Sequence, residues 1–388
     1  MARRGVAATL GRSVSERGAH LFATVQEYAA LGEHHWTGTA EDARTLYWFE
    51  DRLRALGAAT ERQPWSFDRY DADGAVTMDG VEVTSLPLFY EGIGEIAWTT
   101  PFVAEADAIP AGSFPGWSTI VQNARSAGAS LAVVATRSAS GGLVAPNRSP
   151  AQPAAGLPTL LVAGDLAPQL RRASVRARMA ARVAGGRTSN VVGRIGGGPD
   201  RDRILLTTPL SGWFRCAGER GTGIAVMLAV AAQLAAEGVP LLLNGNSGHE
   251  LVDVGAHRFA ETKPSVRAIV HFGASIAAGE PSGHALRLID GLTIRAWTPG
   301  LRETLAGAFA PLGKTLTLVP DADHVSPEAW VGEARAWCAL DRPLLSMAGR
   351  FALFHTPEDL PERATTPALL ERVHDAVLAA ARILAKSI

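Results

Sequence analysis

The feature that most constrains the fold is a series of short apolar strands in the second half of the chain. These strands are predicted at residues 190–195, 203–207, 240–244 and 266–272. Because they are apolar along their whole length rather than at alternate positions, both faces of their sheet must be covered. The helices predicted between them, such as Val254–Glu261, supply that cover. The pattern therefore predicts an α/β fold with helices on both faces of a central sheet.

Two changes in residue composition and hydrophobic periodicity along the chain predict its domain organisation. Residues 13–31 and 40–56 carry apolar side chains at helical spacing. Between residues 85 and 187, turns rich in glycine, proline and serine separate short strands, and no catalytic cluster is found. We therefore expect an α/β domain formed by residues 1–84 and 188–388, interrupted by a small β-rich domain at residues 85–187.

The composition excludes several classes of protein. The 388 residues include 37 basic and 38 acidic side chains, and the net charge of −1 argues against a general electrostatic role on nucleic acid or anionic membranes. The longest apolar stretch, residues 224–232, is about half of a membrane span. Residues 1–10 lack the apolar segment of a secretory signal, and two cysteines cannot form a disulfide framework. We expect a soluble, cytoplasmic protein.

The polar clusters of the second half follow predicted strands. A glycine-rich loop at residues 209–223 follows one strand, and the loop at residues 247–250 follows the next strand along the chain. In α/β sheets, ligands bind in the loops beyond the carboxyl ends of the strands. We therefore expect the functional site to lie in these two loops.

Four segments carry motifs that appear in a fixed order. They read Asn-Val-Val-Gly-Arg-Ile at 190–195, Gly-Thr-Gly at 221–223, Gly-His-Glu-Leu-Val-Asp-Val-Gly-Ala at 248–256 and Phe-His-Thr-Pro-Glu-Asp at 354–359. In this order they resemble the co-catalytic zinc aminopeptidase family, which also includes glutamate carboxypeptidases and glutaminyl cyclases. The resemblance implies a zinc-exopeptidase-like fold with a mixed sheet and chemistry at amide bonds. The insert is similar to the protease-associated domain that this family often carries.

The resemblance also indicates which metal-binding positions of the family this chain has lost. The family's His-x-Asp loop falls on Pro209, Leu210 and Ser211, so the first metal-binding histidine is absent. A later metal-binding aspartate falls near Gly273. One metal of the family's pair would need both positions. The resemblance therefore argues against a dinuclear zinc site.

The positions of the other metal keep residue types that bind metals. The bridging aspartate falls on Glu219, the ligand glutamate is retained as Glu250, and the C-terminal ligand histidine is retained as His355. Three protein ligands and one open position are typical of a catalytic zinc site. The resemblance thus implies a single zinc ion at Glu219, Glu250 and His355. The alternative is a metal-free site in which Arg220 supplies the lost positive charge.

Two further residues are candidates for catalysis. His249 falls on the general-base position of the family and titrates near neutral pH, so we expect it to act as a base or an extra ligand. Cys216 lies in the same loop as Glu219 and would form a nucleophilic pair with His249; burial as a small apolar side chain is the alternative. The residues expected to contact the substrate are Ser211, Trp213, Arg215, Arg220 and His324.

Three functions compete on these residues. The first is an aminopeptidase-like amide hydrolase or acyl-transfer enzyme with at most one metal, acting on a small, specialised substrate. The second is a metal-free enzyme centred on Cys216 and His249, with Arg220 or Arg215 as its positive charge. The third is a non-catalytic binding protein descended from a peptidase. The expected partner is a small molecule or short peptide-like substrate, with no nucleic acid and no membrane. Assembly into a homo-oligomer stays open.

Overall fold

The computed structural model describes residues 15–108, 116–151 and 154–387. Within these residues the helices are α1 (Glu16–Ala30), α2 (Ala40–Ala55), α3 (Trp117–Ser126), α4 (Ala167–Leu170), α5 (Thr222–Ala236), α6 (Val254–Glu261), α7 (Arg302–Phe309), α8 (Ala334–Trp337), α9 (Pro361–Ala364) and α10 (Pro367–Ser387). None of these described helices is both long and apolar enough to cross a bilayer. The segment at residues 1–10, expected to carry no secretory signal, and the start of the helix predicted at 13–31 lie outside the described residues.

The strands of the same described residues fall into three sheets. They are β1 (Ala59–Met78), β2 (Val81–Val83), β3 (Ser85–Pro87), β4 (Gly94–Thr99), β5 (Phe102–Asp107), β6 (Ala132–Arg137), β7 (Thr159–Ala163), β8 (Val175–Ile195), β9 (Ile204–Pro209), β10 (Leu241–Asn246), β11 (Ala268–Phe272), β12 (Gly279–Ser282), β13 (Ala285–Leu288), β14 (Thr293–Trp297), β15 (Leu316–Leu318) and β16 (Leu344–Ala348). The short hairpin β12–β13 is the smallest of the sheets.

The largest sheet is mixed, which confirms the predicted fold class. Its strand order is β15-β14-β16-β11-β9-β10-β8-β1-β2, and β4 pairs with β8 beside this path. Four neighbours, β16, β11, β9 and β10, are parallel to one another, while β8 runs antiparallel to β10 and β14 runs antiparallel to β16. The carboxyl ends of the four parallel strands therefore meet at one edge, where a site is expected.

Both faces of this sheet are buried, as the apolar strands predict. Leu206 and Val270 point to one side, where they share a core with side chains of α5 such as Val230. Leu205 and Ile269, their neighbours along the strands, share the opposite core with residues of α6 and α8 such as Phe259. Successive side chains of a strand point to opposite faces, so two helical layers cover these short strands.

A second sheet, with strand order β3-β7-β6-β5, lies within the predicted insert. The chain passes between the two sheets through β1 and β8 of the central sheet, which pair without interruption from Ala59 opposite Arg194 to Met78 opposite Val175. Turn-forming residues such as Asp71, Asp73 and Gly74 lie within β1, and pairing with β8 along its whole length holds them in one continuous strand. The domain limits at 84/85 and 187/188 and the likeness to a protease-associated domain stay predictions.

Candidate metal centre

Three side chains that can bind a metal converge at the carboxyl edge of the parallel strands. Glu219 follows β9 and lies on a π-helical turn, Ala217–Gly221, that leads into α5. His249 lies in the loop after β10, and His355 lies in the loop after β16. Oε1 of Glu219 is 3.3 Å from Nε2 of His249 and 3.1 Å from Nε2 of His355. Donor atoms of the three residues all lie within 4.8 Å of one another.

Both imidazole rings are oriented by a hydrogen bond at their other nitrogen. Nδ1 of His355 donates to the carbonyl oxygen of Ala145 over 2.7 Å. Nδ1 of His249 lies 2.7 Å from Oε1 of Glu333 and 3.0 Å from Oδ1 of Asp253. An acceptor at Nδ1 keeps the proton on that nitrogen and leaves the lone pair of Nε2 available. The two rings therefore present their metal-binding nitrogens toward Glu219.

Arg220 links two carboxylates in the interior. Its Nη2 atom is 2.6 Å from Oε1 of Glu219, and its Nη1 atom is 3.8 Å from Oε1 of Glu333. All three residues are at most 2% exposed. Burial raises the pKa of both carboxyl groups, but the interactions with His355 and Arg220 hold the pKa of Glu219 well below its usual value, and those with His249 and Arg220 do the same for Glu333. Both glutamates are therefore ionised.

The charges around His249 favour its protonated form. Burial and the charge of Arg220 lower its pKa. Glu333, together with hydrogen bonds to Asp253 and Glu219, outweighs both effects and raises the pKa of His249 well above its usual value. Without a metal, the imidazolium and Arg220 therefore neutralise the two buried glutamates. Metal binding at Nε2 has to displace a proton from this ring.

The side-chain amide of Asn147 disfavours the proton on Nε2 of His249. The amide nitrogen of Asn147 lies 3.1 Å from Nε2 of His249. Its orientation follows from Trp213, whose indole N–H donates to Oδ1 of Asn147 over 2.9 Å and so leaves the NH2 group facing the imidazole. An N–H donor at Nε2 favours a lone pair on that nitrogen, which is the form a metal requires.

The predicted insert closes the centre from solvent. Ala145 and Asn147 belong to the segment 143–149, all of which is buried. The backbone N–H of Arg148 in this segment donates to the carbonyl oxygen of Glu250 over 2.8 Å. The sequence indicated no catalytic cluster in the insert, and a backbone carbonyl and a single amide leave no motif to find.

Glu250, which the sequence predicts as a ligand, is not one of the three converging side chains. Its Oε1 atom accepts a hydrogen bond from the backbone N–H of Thr37 over 2.5 Å. Its Oε2 atom is buried without a hydrogen-bond partner among the described residues. Where the sequence predicts Glu219, Glu250 and His355, the structure brings together Glu219, His249 and His355.

The backbone conformation of the loop after β10 explains why His249, and not Glu250, lies beside Glu219 and His355. Oγ of Ser211 accepts hydrogen bonds from the N–H groups of Gly248 and His249, over 2.8 and 3.0 Å. Farther along, Val252 and Asp253 adopt left-handed backbone angles, with φ values of 65° and 62°. The loop is thus held in a conformation in which consecutive side chains diverge. The motif at 248–256 alone could not reveal this local geometry.

Cys216 is not arranged as a nucleophile. Its sulfur is buried and lies 3.2 Å from the hydroxyl of Tyr28. Burial, with a smaller effect of the Glu219 charge, raises the pKa of the thiol well above its usual value. Because the thiolate is the reactive form, this environment suppresses reactivity. The predicted pairing of Cys216 with His249 is not supported, and the alternative of a buried small side chain fits the structure.

The residues predicted to contact substrate fall into two groups. Ser211, Trp213 and Arg220 surround the centre and are buried. Arg215 is exposed. His324 stacks on Trp297 with ring centroids 3.7 Å apart, and its Nε2 atom lies 2.6 Å from Oδ1 of Asp341. Neither Arg215 nor His324 is therefore brought to the centre.

Several residues of the centre were not predicted as site residues. Asp359 accepts hydrogen bonds from the backbone N–H groups of Gly218 and Glu219, over 2.6 and 3.0 Å, and so supports the turn that carries Glu219. Asp253 and Asp359 lie inside the recognised motifs, which was a usable signal. Glu333 carried no signal in the sequence, because it precedes the short helix α8 in a segment without a motif.

Comparison with known proteins identifies the fold. No protein-family model and no curated protein sequence matches the chain. Among solved structures, a zinc aminopeptidase from Bacillus subtilis has a TM-score of 0.69 at 16% identity, with 95% of each chain covered. An aminopeptidase from Aneurinibacillus has a TM-score of 0.58 at 15% identity over 95% of each chain. A glutaminyl cyclase from an Acidobacteriales bacterium has a TM-score of 0.50 at 14% identity over 99% of each chain. The chain therefore has the zinc-exopeptidase fold that zinc aminopeptidases and glutaminyl cyclases share.

Proposed function

We propose that this protein is a hydrolase or acyl-transfer enzyme for amide bonds in small, peptide-like molecules, with one zinc ion bound by Glu219, His249 and His355. The observation that carries the proposal is the convergence of two Nε2 atoms on one carboxylate while acceptors hold both Nδ1 atoms. The shared fold of zinc aminopeptidases supports it, because this edge of the sheet lies beyond the carboxyl ends of the parallel strands.

The donor set fits a zinc ion in chemistry and in spacing. Two imidazole nitrogens and one carboxylate are common zinc ligands. Ligand atoms about 2.0 Å from a tetrahedral zinc are about 3.3 Å from one another. The distances from Glu219 to His249 and His355 are 3.3 and 3.1 Å. In addition, Oε2 of Glu219 is buried and has no hydrogen-bond partner among the described residues, so one acceptor is unused.

The chain's own residues would prepare this centre for amide chemistry. A zinc ion held there would act as a Lewis acid toward a substrate carbonyl. Glu333 and Asp253 orient His249, and the Ala145 carbonyl orients His355. Arg220 supplies a fixed positive charge next to Glu219, in place of a second metal ion. Because the segment 143–149 covers the centre, we expect the substrate to be small and its entry to require movement of that segment.

One observation favours a second candidate, a metal-free binding protein. The carboxylates of Glu219 and Glu333 are already neutralised by Arg220 and a protonated His249. A site balanced in this way needs no metal to be stable. This candidate predicts no bound metal, and it predicts ligand binding without turnover.

Elemental analysis of the purified protein distinguishes the two candidates. We expect about one equivalent of zinc in the wild-type protein and a loss of most of it in Glu219→Gln. Glu250→Gln is a matched control, because it alters a buried carboxylate that is not one of the three proposed zinc ligands. Absence of zinc in the wild type after incubation with the metal would overturn the metal proposal.

Turnover is tested with the zinc-loaded protein. We expect slow release of amine from short aminoacyl amides or cyclisation of N-terminal glutaminyl peptides, abolished in Glu219→Gln and retained in Glu250→Gln. Stoichiometric zinc without turnover of any amide in such a panel would overturn the catalytic part of the proposal.

A further inference from the structure

A cavity of about 210 Å³ lies on the other side of Trp213 from the metal centre. Phe89 and Trp36 line it, and their ring centroids are 4.7 and 5.7 Å from that of Trp213. Trp213 in turn donates to Asn147, which contacts His249. The cavity is therefore separate from the candidate metal centre, and two of its lining rings pack on Trp213.

The polar group at the base of this cavity is Glu250. The residue is 1% exposed, and only Oε1 has a hydrogen-bond partner, the backbone N–H of Thr37. Among the described residues, no basic side chain lies within ion-pair distance of Glu250, and Oε2 has no partner. A buried carboxylate without a counter-charge is costly. The cavity thus offers a negative charge and an acceptor to a ligand.

Five of the residues that line the cavity are aromatic. Besides Trp36 and Phe89, the rings of Phe67, Tyr70 and Tyr90 belong to it. The two tyrosine hydroxyls are engaged elsewhere, since Tyr70 donates to the carbonyl oxygen of Gly92 and Tyr90 to that of Asp68. These residues therefore contribute ring surfaces rather than hydroxyl groups. Aromatic faces attract cations, and they do so more strongly when the cation is removed from water.

The basic residue at the mouth of the cavity does not neutralise Glu250. The guanidinium of Arg69 binds both carboxylate oxygens of Asp71, over 2.6 and 3.0 Å, and donates to the carbonyl oxygen of Gly38. The charge of Glu250 is therefore left uncompensated by the side chains that line the cavity.

We infer that this cavity binds a small organic cation, an ammonium group on a compact apolar body, with Glu250 as its counter-charge and the aromatic rings as its walls. A primary ammonium donates a hydrogen bond to Oε2 of Glu250, whereas a quaternary ammonium interacts only through charge and ring faces. The cavity volume admits groups of the size of n-butylammonium or tetramethylammonium. The inference does not depend on a metal, because no residue of the metal centre is used.

Calorimetric titration of the full chain tests this assignment. The probes are n-butylammonium and tetramethylammonium chloride at matched ionic strength, with n-butanol as the neutral isostere of the first. Excess EDTA is present throughout, so that coordination of the amine to a bound metal cannot contribute to the measured heat. A negative result of this titration is therefore distinct from a failure of the metal proposal. We expect both cations to bind, n-butylammonium more tightly, and n-butanol at least tenfold more weakly.

Two variants locate the binding. Glu250→Gln keeps the shape and the acceptor for Thr37, and we expect it to weaken both cations at least tenfold without affecting n-butanol. Glu82→Gln, which removes a charge from an exposed residue of β2, serves as the control and should bind like the wild type. Phe67→Leu keeps the charge and removes one ring at the mouth, and it should weaken tetramethylammonium severalfold. Equal binding of n-butanol, undiminished binding in Glu250→Gln, or no binding of either cation to the wild type overturns the inference.

Discussion

Oε1 of Glu333 lies 2.7 Å from Nδ1 of His249, although the two residues are 84 positions apart in the chain. Glu333 comes from the segment between β15 and β16, and His249 from the loop after β10. The contact orients the imidazole and at the same time increases its basicity. A carboxylate behind a metal-binding histidine is a frequent second layer around zinc.

Glu333→Gln tests the importance of this contact. The amide still accepts a hydrogen bond from Nδ1 of His249, but it removes the negative charge that raises the pKa of the ring. We expect zinc affinity to fall roughly tenfold to a hundredfold, measured by competition with a chromogenic chelator. Glu328→Gln, an exposed change on the same segment, should leave the affinity unchanged. Unaltered affinity in Glu333→Gln would show that Glu333 does not act through His249.

The Trp213–Asn147 pair should be energetically coupled. Trp213→Phe keeps a ring against Phe89 but leaves Oδ1 of Asn147 without its indole donor. We expect a loss of about 1–3 kcal/mol in the free energy of unfolding, measured in urea. Asn147→Leu removes the partner, so the double variant should lose less than the sum of the two single changes. Strict additivity would contradict the coupling, and Trp98→Phe at an exposed position is the control.

Asp42 predicts a pH dependence of stability. Burial, opposed by donors from Thr188, Gly38 and Ser247, raises the pKa of its carboxyl from 3.8 to about 7. Between about pH 4 and pH 7, Asp42 therefore keeps its proton in the folded state but has released it in the unfolded state. The free energy of unfolding consequently falls as pH rises from about 4 to about 7. Asp42→Asn cannot ionise, so it should gain on the order of 2–4 kcal/mol relative to wild type across this window.

The measurement is the difference in free energy of unfolding between wild type and Asp42→Asn at a series of pH values. Other titrating groups contribute equally to both proteins and cancel in this difference. A difference between wild type and Asp42→Asn that is independent of pH would mean that the folded and unfolded states share one pKa at this residue.

Cys216→Ala separates a structural cysteine from a catalytic one. The change removes one buried sulfur beside Tyr28, whose hydroxyl keeps its hydrogen bond to the carbonyl oxygen of Leu210. We expect a cost of about 1–2 kcal/mol in the free energy of unfolding, with zinc content and amide turnover unchanged. Loss of turnover in a folded, zinc-loaded Cys216→Ala protein would restore the nucleophile hypothesis.

Much of the fold could be predicted because its determinants are local. Short strands apolar along their whole length and helices at the expected spacing identify the layers, and β9, β10 and β11 lie close to their predicted positions. The helix α4 is short, because it covers only Ala167–Leu170 before the chain enters β8 at Val175. Long-range pairing with β1 overrides local propensity there.

The site was less predictable because it depends on contacts between distant segments. Glu219, His249 and His355 were all identified as candidates, each from its place in a motif. His249, rather than Glu250, joins the group because of the positive φ angles of the loop and the hydrogen bond from the His249 N–H to Ser211. The spacing of residues in the sequence does not reveal this loop conformation. Glu333 and Asn147 reach the centre from segments without motifs, and only the folded topology brings them there.

The ribbon formed by β1 and β8 gives the insert a mechanical relation to the centre. Twenty consecutive backbone pairs, from Ala59 to Met78, leave no unpaired position that could act as a hinge. Movement of the whole insert would have to bend the paired strands β1 and β8, and their continuous backbone hydrogen bonds oppose such bending. Exposure of the centre is therefore expected to begin within the segment 143–149 itself, and its rate should follow the breaking of a few local hydrogen bonds, such as that from Arg148 to Glu250.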